Sequence, residues 1–364
     1  MSDKRSGYIP ELDFWKFVAM IAILLVHSHT FFGKGVVLKY GFLGVELFFL
    51  ITGYLFTASV YRDQRPFSSE TIGSELWAFI RHKIGGFLPY FLVGWTLGLS
   101  LKAVQTGGDL FHATNLRGCV FDLFLLRESG LPYYDIAGAH WYLSSMIIAL
   151  FLIYPVFRWR KNLFSLIVAP AVGLILLGSI FMSFKSVTRG VAYPNGFFTL
   201  GTTRAIAEIS LGVAAYQLTK YVSHLDFGAK TGWIFTGVNM FALIGAFGTI
   251  IEMHETSDQL FVLLMFFIFV VVATSRKATM SYWYNERLCR YLGKLTLSVF
   301  LTHTVIRRLM SIVWKGCGWH FGDSRHPATM AVTLAVYLAL SYGLGALTVY
   351  AVDRWWFKRN AMRS

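Results

Sequence analysis

Ionisable side chains lie inside the first two apolar stretches of the chain, where such groups are rare, and three of them stand out. Lys16 and His27 belong to the first stretch and Glu46 to the second. A charged group in the bilayer core costs free energy to insert, so intramembrane Lys, His and Glu are candidates for function by default. Side chains of these types move protons, which indicates either acid–base catalysis or proton-coupled transport.

Helical spacing predicts how the three side chains are arranged. His27 follows Lys16 on the same helix face, roughly 16 Å further along the axis. Glu46 lies near the outer end of the second stretch, so we expect it at the depth of His27, about 8 Å below the outer boundary. A carboxylate beside an imidazole fixes its tautomer and raises its basicity, as a general base requires, although such a pair can also merely satisfy itself. His29 points about 200° away from His27 and is predicted to be structural.

Polar residues near the outer ends of later apolar stretches are further candidates. His140 and Trp141 open the fourth stretch, where interfacial anchoring is the alternative to substrate contact. Thr302 and His303 lie in the outer half of the ninth stretch. A hydrogen bond between helices is the alternative for this second pair.

Two basic features offer contacts to anions. Arg204 opens the sixth stretch and is followed one turn later by Glu208, so an i,i+4 salt bridge is the alternative to an anion or sugar contact. Arg81 and Lys83 lead into the third stretch. Basic residues there are usually topology anchors, but they can equally hold a phosphate group. No cluster of His, Asp and Glu has metal-ligand spacing, so no metal is predicted.

Composition indicates that these residues belong to a polytopic membrane protein. Of 364 residues, 55% are hydrophobic and only 14% are charged, against about 25% charged in soluble domains. The predicted fold class is all-α, with about ten transmembrane helices of roughly 20 residues. The apolar segments lie near 13–33, 41–61, 85–103, 140–158, 163–183, 204–220, 233–252, 258–275, 292–313 and 329–352. Residues 119–126 are too short to span and are predicted to form a re-entrant or interfacial helix.

The charge distribution sets the predicted orientation. A net charge of +14 would suggest nucleic acid for a soluble protein, but here Lys and Arg mark cytoplasmic loops. About 20 of the 33 Lys and Arg residues fall on the side of the N-terminus, so both termini are predicted to be cytoplasmic. We expect residues 1–364 to form one transmembrane domain, with no fused soluble domain and no nucleic-acid partner. The sequence sets no oligomeric state.

The first two stretches resemble the acyltransferase-3 family of integral membrane acyltransferases. Asp13, Lys16 and His27 match the family's acidic, basic and histidine opening, and residues 41–55 match its second-span pattern G-x-x-G-V-[DE]-x-F-F-x-[IL]-[ST]-G-[FY]-L. Weaker matches follow in the family's order at 141–155, 204–212 and 293–303.

The resemblance implies a reaction. Family members transfer an acyl group, most often acetyl, from acyl-CoA to a hydroxyl of a glycan, lipid-linked sugar or related surface molecule. It also implies the cytoplasmic membrane of a bacterium as the location, with the lipid bilayer as a partner. Lys16, Arg81 and Lys83 would then hold the nucleotide end of acetyl-CoA near the cytoplasmic face.

The resemblance also implies roles at the reacting end. His27 would take the proton of the acceptor hydroxyl, and Glu46 would orient His27. The candidate substrate-binding residues are Asp13, His140, Trp141, Arg204, Thr302 and His303. An acetylated His27 is an open alternative. A proton-coupled transporter or flippase is the competing class, because intramembrane Lys, His and Glu also build carriers.

Overall fold

The computed structural model is almost entirely helical and describes residues 7–32, 37–188, 190–253, 255–317 and 327–357. Ten long helices make up most of the molecule. They are α1 (Pro10–His27), α2 (Gly44–Arg62), α3 (Ile72–Thr106), α4 (His140–Trp159), α5 (Ala169–Phe184), α6 (Leu200–Ser223), α7 (Thr231–Glu252), α8 (Asp258–Ser275), α9 (Glu286–Gly316) and α10 (Pro327–Val352).

The prediction of an all-α protein with many spans is confirmed. Within the described ranges, nine helices are long and apolar enough to cross a membrane. The tenth long helix, α6, is not among these nine, although it occupies the segment 204–220 that the sequence assigned to a span. One boundary differs clearly, because α3 begins at Ile72 and not near residue 85. Arg81 and Lys83 therefore lie within a helix and not ahead of it.

Short elements fill the connections between the long helices. Ala113–Leu123 forms a helix of 11 residues where the sequence predicted a segment too short to span. Pro194–Asn195 and Phe198–Thr199 form an antiparallel hairpin just before α6. The remaining short helices are His29–Phe32, Gly41–Leu43, Gly107–Phe111, Lys161–Leu163, Phe164–Val168, Gly228–Lys230, Thr279–Tyr282 and Asp353–Phe357.

Helix α6 lies at the centre of the bundle, and its neighbours explain how a polar helix fits there. It packs against α2, α4, α5 and α8. Arg204, Glu208 and Ser210 are consequently buried inside protein. A polar group facing lipid tails would leave its hydrogen bonds unmade, so such a helix needs a shell of other helices around it.

The contact between α2 and α6 is very close because glycines face the opposite backbone. A Cβ atom on Gly53 would overlap the carbonyl oxygen of Ile209, and one on Gly212 would overlap that of Leu50. Small residues at such crossings let transmembrane helices approach and gain dispersion contacts. This crossing fixes where the polar residues of α6 stand relative to α2.

The helix directions define two ends of the bundle. We call the end at which α1 begins the N-terminal end, and the end at which α1 finishes and α2, α4 and α6 begin the far end. Residues 1–6 and 358–364, which carry charges used for the predicted orientation, lie outside the described residues. The cytoplasmic location of both termini stays a prediction.

The close crossing of α2 and α6 should be sensitive to a single added methyl group. Gly53→Ala is expected to lower the free energy of unfolding by about 1–3 kcal/mol, because overpacking forces backbone shifts. Gly237→Ala on α7 is the matched control, since nothing lies within 4 Å of a Cβ atom there. Thermal unfolding of the protein in detergent measures both, and equal midpoints for the two variants would contradict the assigned crossing.

Candidate active site

A buried guanidinium with two carboxylates stands at the far end of the bundle, and we call it the arginine cluster. Arg204 donates a hydrogen bond from Nη2 to Glu46, and its Nε lies 3.7 Å from Oε1 of Glu208. All three side chains are at most 3% exposed. The ring of Trp141 lies against the guanidinium, and the ring centroid is 5.4 Å from Cζ of Arg204. The i,i+4 contact expected between Arg204 and Glu208 is therefore present, and Glu46 joins it from α2.

The predicted pair of His27 and Glu46 is not formed. Glu46 is engaged by Arg204, and no described residue accepts or donates a hydrogen bond at Nδ1 of His27. Residue counting along a helix predicts the depth of a side chain but not the rotation of the helix about its axis, which decides the partner. The third helix, α6, supplies the partner for Glu46.

His27 faces another histidine, and we call these two rings the histidine pair. The ring centroids of His27 and His303 are 5.1 Å apart. His303 is buried, whereas His27 is half-buried. His29, predicted to be structural, is exposed, with its ring 6.4 Å from that of His27 and its Nδ1 donating to the Val26 carbonyl at 2.9 Å.

Backbone contacts fix the tautomer of His303. Its Nδ1 donates to the carbonyl oxygens of Phe300 at 2.8 Å and Val299 at 3.2 Å. A neutral imidazole that carries its proton on Nδ1 presents a lone pair at Nε2. That atom is buried and finds no hydrogen-bond partner in the described part of the chain. The histidine pair thus offers two open ring nitrogens within a protein interior, as a proton-transfer site requires.

An aromatic layer lies between the histidine pair and the arginine cluster. The rings of Phe48, Tyr142 and Phe300 contact one another at centroid distances of 5.4 to 6.1 Å. Phe300 reaches His303 on one side at 6.2 Å. Tyr142 adjoins Trp141 on the other at 6.3 Å. His27 and Glu46, which the sequence analysis predicted to pair, therefore belong to two different groups, the histidine pair and the arginine cluster.

His140 is paired with a carboxylate that the sequence analysis did not single out. Its Nδ1 donates to Oδ2 of Asp122 at 3.0 Å, and both side chains are buried. The ring of Phe91 covers the imidazole at a centroid distance of 4.7 Å. Interfacial anchoring, one reading of His140, does not describe a residue in this environment. The signal available in the sequence was the single acidic residue in the apolar run 119–126.

Thr302 and Asp13 occupy separate places. The hydroxyl of Thr302 donates to the Ser298 carbonyl within its own helix at 2.9 Å. Asp13 lies near the N-terminal end of α1, roughly 21 Å along the helix axis from His27. There it accepts from the Tyr8 hydroxyl at 2.7 Å and pairs with Lys16. Asp13 is thus far from the other predicted substrate-binding residues.

The cations predicted to bind the donor are distributed over two helices. Lys16 lies on α1, whereas Arg81 and Lys83 lie on α3, and α9 packs against both helices. Arg81 is exposed and Lys83 is half-buried, with its ammonium 5.7 Å from the centroid of the Phe79 ring. The structure places all three in the N-terminal half of their helices without bringing Lys16 into contact with the other two.

A second basic feature at the N-terminal end was not predicted, and we call it the basic cleft. It has a volume of about 390 Å³ and is lined by Tyr54, Tyr61, Arg62, Tyr216 and Arg276 among others. The rings of Tyr61 and Tyr216 are stacked at a centroid distance of 5.5 Å. Beside Tyr54, on the side of the far end, the glycine crossing of α2 and α6 leaves no space between these two helices.

Sequence reasoning also missed Glu128, which lies in the loop between Leu123 and α4. The side chain is 1% exposed, and Arg127 lies beside it with Nε 3.7 Å from Oε1. Burial raises the pKa of Glu128, and the nearby Thr199 hydroxyl and the positive charges of Arg127 and Arg204 oppose that effect. An Arg-Glu dipeptide in a loop carries no signal of burial, so only the tertiary structure identifies this residue.

Comparison with known families identifies the family of the chain. A family model described as an acyltransferase domain, of the acyltransferase-3 type, matches residues 9–354, which is nearly the whole chain. No curated protein and no solved structure matches the chain. The matched range contains the histidine pair, the arginine cluster and all ten long helices. The chain therefore belongs to the acyltransferase-3 family and is a membrane acyltransferase.

Proposed function

We propose that the protein transfers an acyl group, acetyl in the first instance, from acyl-CoA to a hydroxyl of a surface polysaccharide or lipid-linked sugar, with His27 as general base. One observation carries this proposal. His27 is half-buried at the far end of α1 and has an unpartnered Nδ1 beside a histidine of fixed tautomer. An acceptor outside the membrane core could reach this end, whereas the N-terminal end carries Lys16, Arg81 and Lys83, the cations proposed to hold the donor.

The transfer balances as one displacement. His27 takes the proton from the acceptor hydroxyl while that oxygen attacks the thioester carbonyl, and an oxygen–carbon bond forms. The carbon–sulfur bond then breaks, and the CoA thiolate leaves with the proton that His27 held. A general base of this kind contributes about 10² to 10⁴-fold to rate. Transfer through an acetylated His27 uses the same residue as nucleophile.

The neighbouring groups have supporting roles in this proposal. His303 can orient His27 or share its proton through the open Nε2. Arg204 is held by Glu46 and Glu208, so it presents positive charge without freedom to move, which suits contact with the acceptor or with negative charge developing on oxygen. Glu46 thus positions Arg204 and does not orient His27.

The donor would enter from the N-terminal end. CoA is a polyanion made in the cytoplasm, and Lys16, Arg81 and Lys83 offer cations for its phosphates. Lys16 stands roughly 16 Å along α1 from His27, a separation that the extended pantetheine arm of CoA is suited to bridge. The proposed location is the cytoplasmic membrane of a bacterium, with both termini inside.

Loss of His27 should abolish transfer. In His27→Ala, the acyl mass increment on cell-surface glycans is expected to disappear, because the rate falls by about 10² to 10⁴-fold. Mass spectrometry of glycans from wild-type, deletion and variant strains measures this directly. His29→Ala is the matched control, since His29 is exposed on the same segment, and it should keep the increment.

The alternative outcomes of this experiment are distinct. An increment that survives in His27→Ala but vanishes on deletion would reject the proposed base and keep the enzyme. Glycans that are identical in all strains would reject the surface-glycan acceptor and direct the search to a small hydroxyl compound.

The donor site can be tested by comparing the predicted cations with the basic cleft. The double change Arg81→Gln and Lys83→Gln should raise the KM for acetyl-CoA about tenfold or more, because charged hydrogen bonds to phosphate contribute about 1.5–3 kcal/mol each. Arg62→Gln should leave that KM unchanged. The reverse pattern, measured on the purified enzyme by release of free CoA, would place the nucleotide end in the basic cleft.

A further inference from the structure

The backbone of Glu128 is fully engaged, although its carboxyl group is not. The Glu128 N–H donates to the Ser144 hydroxyl at 2.9 Å. Its carbonyl oxygen accepts from the hydroxyls of Thr199 at 3.1 Å and Thr202 at 2.8 Å. Neither carboxyl oxygen has a hydrogen-bond partner among the residues that the structure describes. Arg127 is the nearest cation, but at 3.7 Å its Nε is beyond hydrogen-bonding distance.

The space around this carboxyl group depends on a glycine. A Cβ atom on Gly201 would lie 2.9 Å from Oε2 of Glu128 and 3.1 Å from the hydroxyl oxygen of Ser145. The Ser145 hydroxyl is buried and likewise lacks a partner within the described ranges. Gly201 lies in the first turn of α6, one turn ahead of Arg204. The two unpartnered groups therefore converge beside the arginine cluster.

The loop that carries Glu128 is held from both sides. Arg127 pairs with Asp135 at 2.7 Å, and Arg308 on α9 pairs with the same carboxylate at 3.1 Å. Arg308 also donates to the Ile136 carbonyl. Burial acts to raise the pKa of Asp135, but the nearby Arg127 guanidinium lowers it. The ion pairs of Asp135 with Arg127 and Arg308 therefore stay charged near neutral pH. Glu128 is thus preorganised and cannot relieve its unmet hydrogen bonds by moving with the loop.

A rigid, buried carboxyl group that receives no hydrogen bond from the protein leaves acceptor positions for the donors of a ligand. An ionised carboxylate accepts hydrogen bonds and donates none, and leaving it unsatisfied costs about 1–3 kcal/mol or more. Sugar hydroxyls are donors of the required kind, and the far end is where an extracytoplasmic acceptor arrives. We propose that Glu128, together with Ser145, binds hydroxyl groups of the acceptor sugar. This inference rests on the proposed function and adds an acceptor-binding site to it.

The experiment separates acceptor binding from donor binding. Purified wild-type, Glu128→Gln and Ser145→Ala proteins are assayed with acetyl-CoA and with surface polysaccharide prepared from a strain that lacks the protein. Glu128→Gln is expected to raise the KM for polysaccharide at least tenfold and leave the KM for acetyl-CoA unchanged. Glu252→Gln is the control, because Glu252 is an exposed glutamate at the far end of α7.

Two further measurements distinguish an acceptor-binding role of Glu128 from a purely structural one. The thermal midpoint of Glu128→Gln should equal or exceed that of the wild type, since the change removes a buried, unpartnered carboxyl group. Gly201→Ala should raise the KM for polysaccharide while Glu128 is still present, because its methyl group displaces the carboxyl group. If Glu128→Gln fails to fold, Gly201→Ala and Ser145→Ala test the same site.

Each outcome is decisive. An unchanged KM for polysaccharide in folded Glu128→Gln, or in both other variants, would overturn the role of Glu128 and leave the proposed function intact. Equal rises in the KM for polysaccharide and for acetyl-CoA would also overturn it, since they would indicate a general distortion of the bundle. Absence of transfer by the wild-type protein would overturn the proposed function and this inference with it.

Discussion

A guanidinium inside a membrane protein is tolerated only where carboxylates neutralise it and other helices exclude lipid. Arg204 meets both conditions through Glu46 on α2 and Glu208 on its own helix. The helix that carries it has to be central, which accounts for the shell of α2, α4, α5 and α8 around α6. The absence of a side chain at Gly53 then sets how closely α2 can approach α6.

This arrangement separates two kinds of polar group that a single reaction would use. The histidine pair has ring nitrogens without a partner among the described residues, and the arginine cluster has a guanidinium held in place by carboxylates. The rings of Phe48, Tyr142 and Phe300 contact one another and connect the two groups through Phe300 beside His303 and Tyr142 beside Trp141. In the proposed reaction, His27 holds the proton of the acceptor hydroxyl until the leaving thiolate recovers it.

Ion pairs hold several polar side chains in place at the far end of the bundle. The loop with Glu128 is pinned by Arg127, Asp135 and Arg308, and His140 is pinned by Asp122. Rigid positioning of polar groups lowers the cost of ordering them when a substrate binds. Glu128 differs from these residues because neither of its carboxyl oxygens has a hydrogen-bond partner among the described residues, and this is the observation on which the proposed acceptor contact rests.

The sequence by itself determined the all-α membrane fold, the positions of ten long helices and the family, because hydropathy and short motifs are local properties of the chain. It also predicted one depth for His27 and Glu46, since depth is estimated from residue counting along a helix. Only the tertiary structure decided which side chains meet, because helix rotation and the approach of distant segments depend on packing between helices. That packing brings Glu46 into contact with Arg204 and His27 into contact with His303. It also buries Glu128, which lies in a loop whose sequence gives no sign of burial.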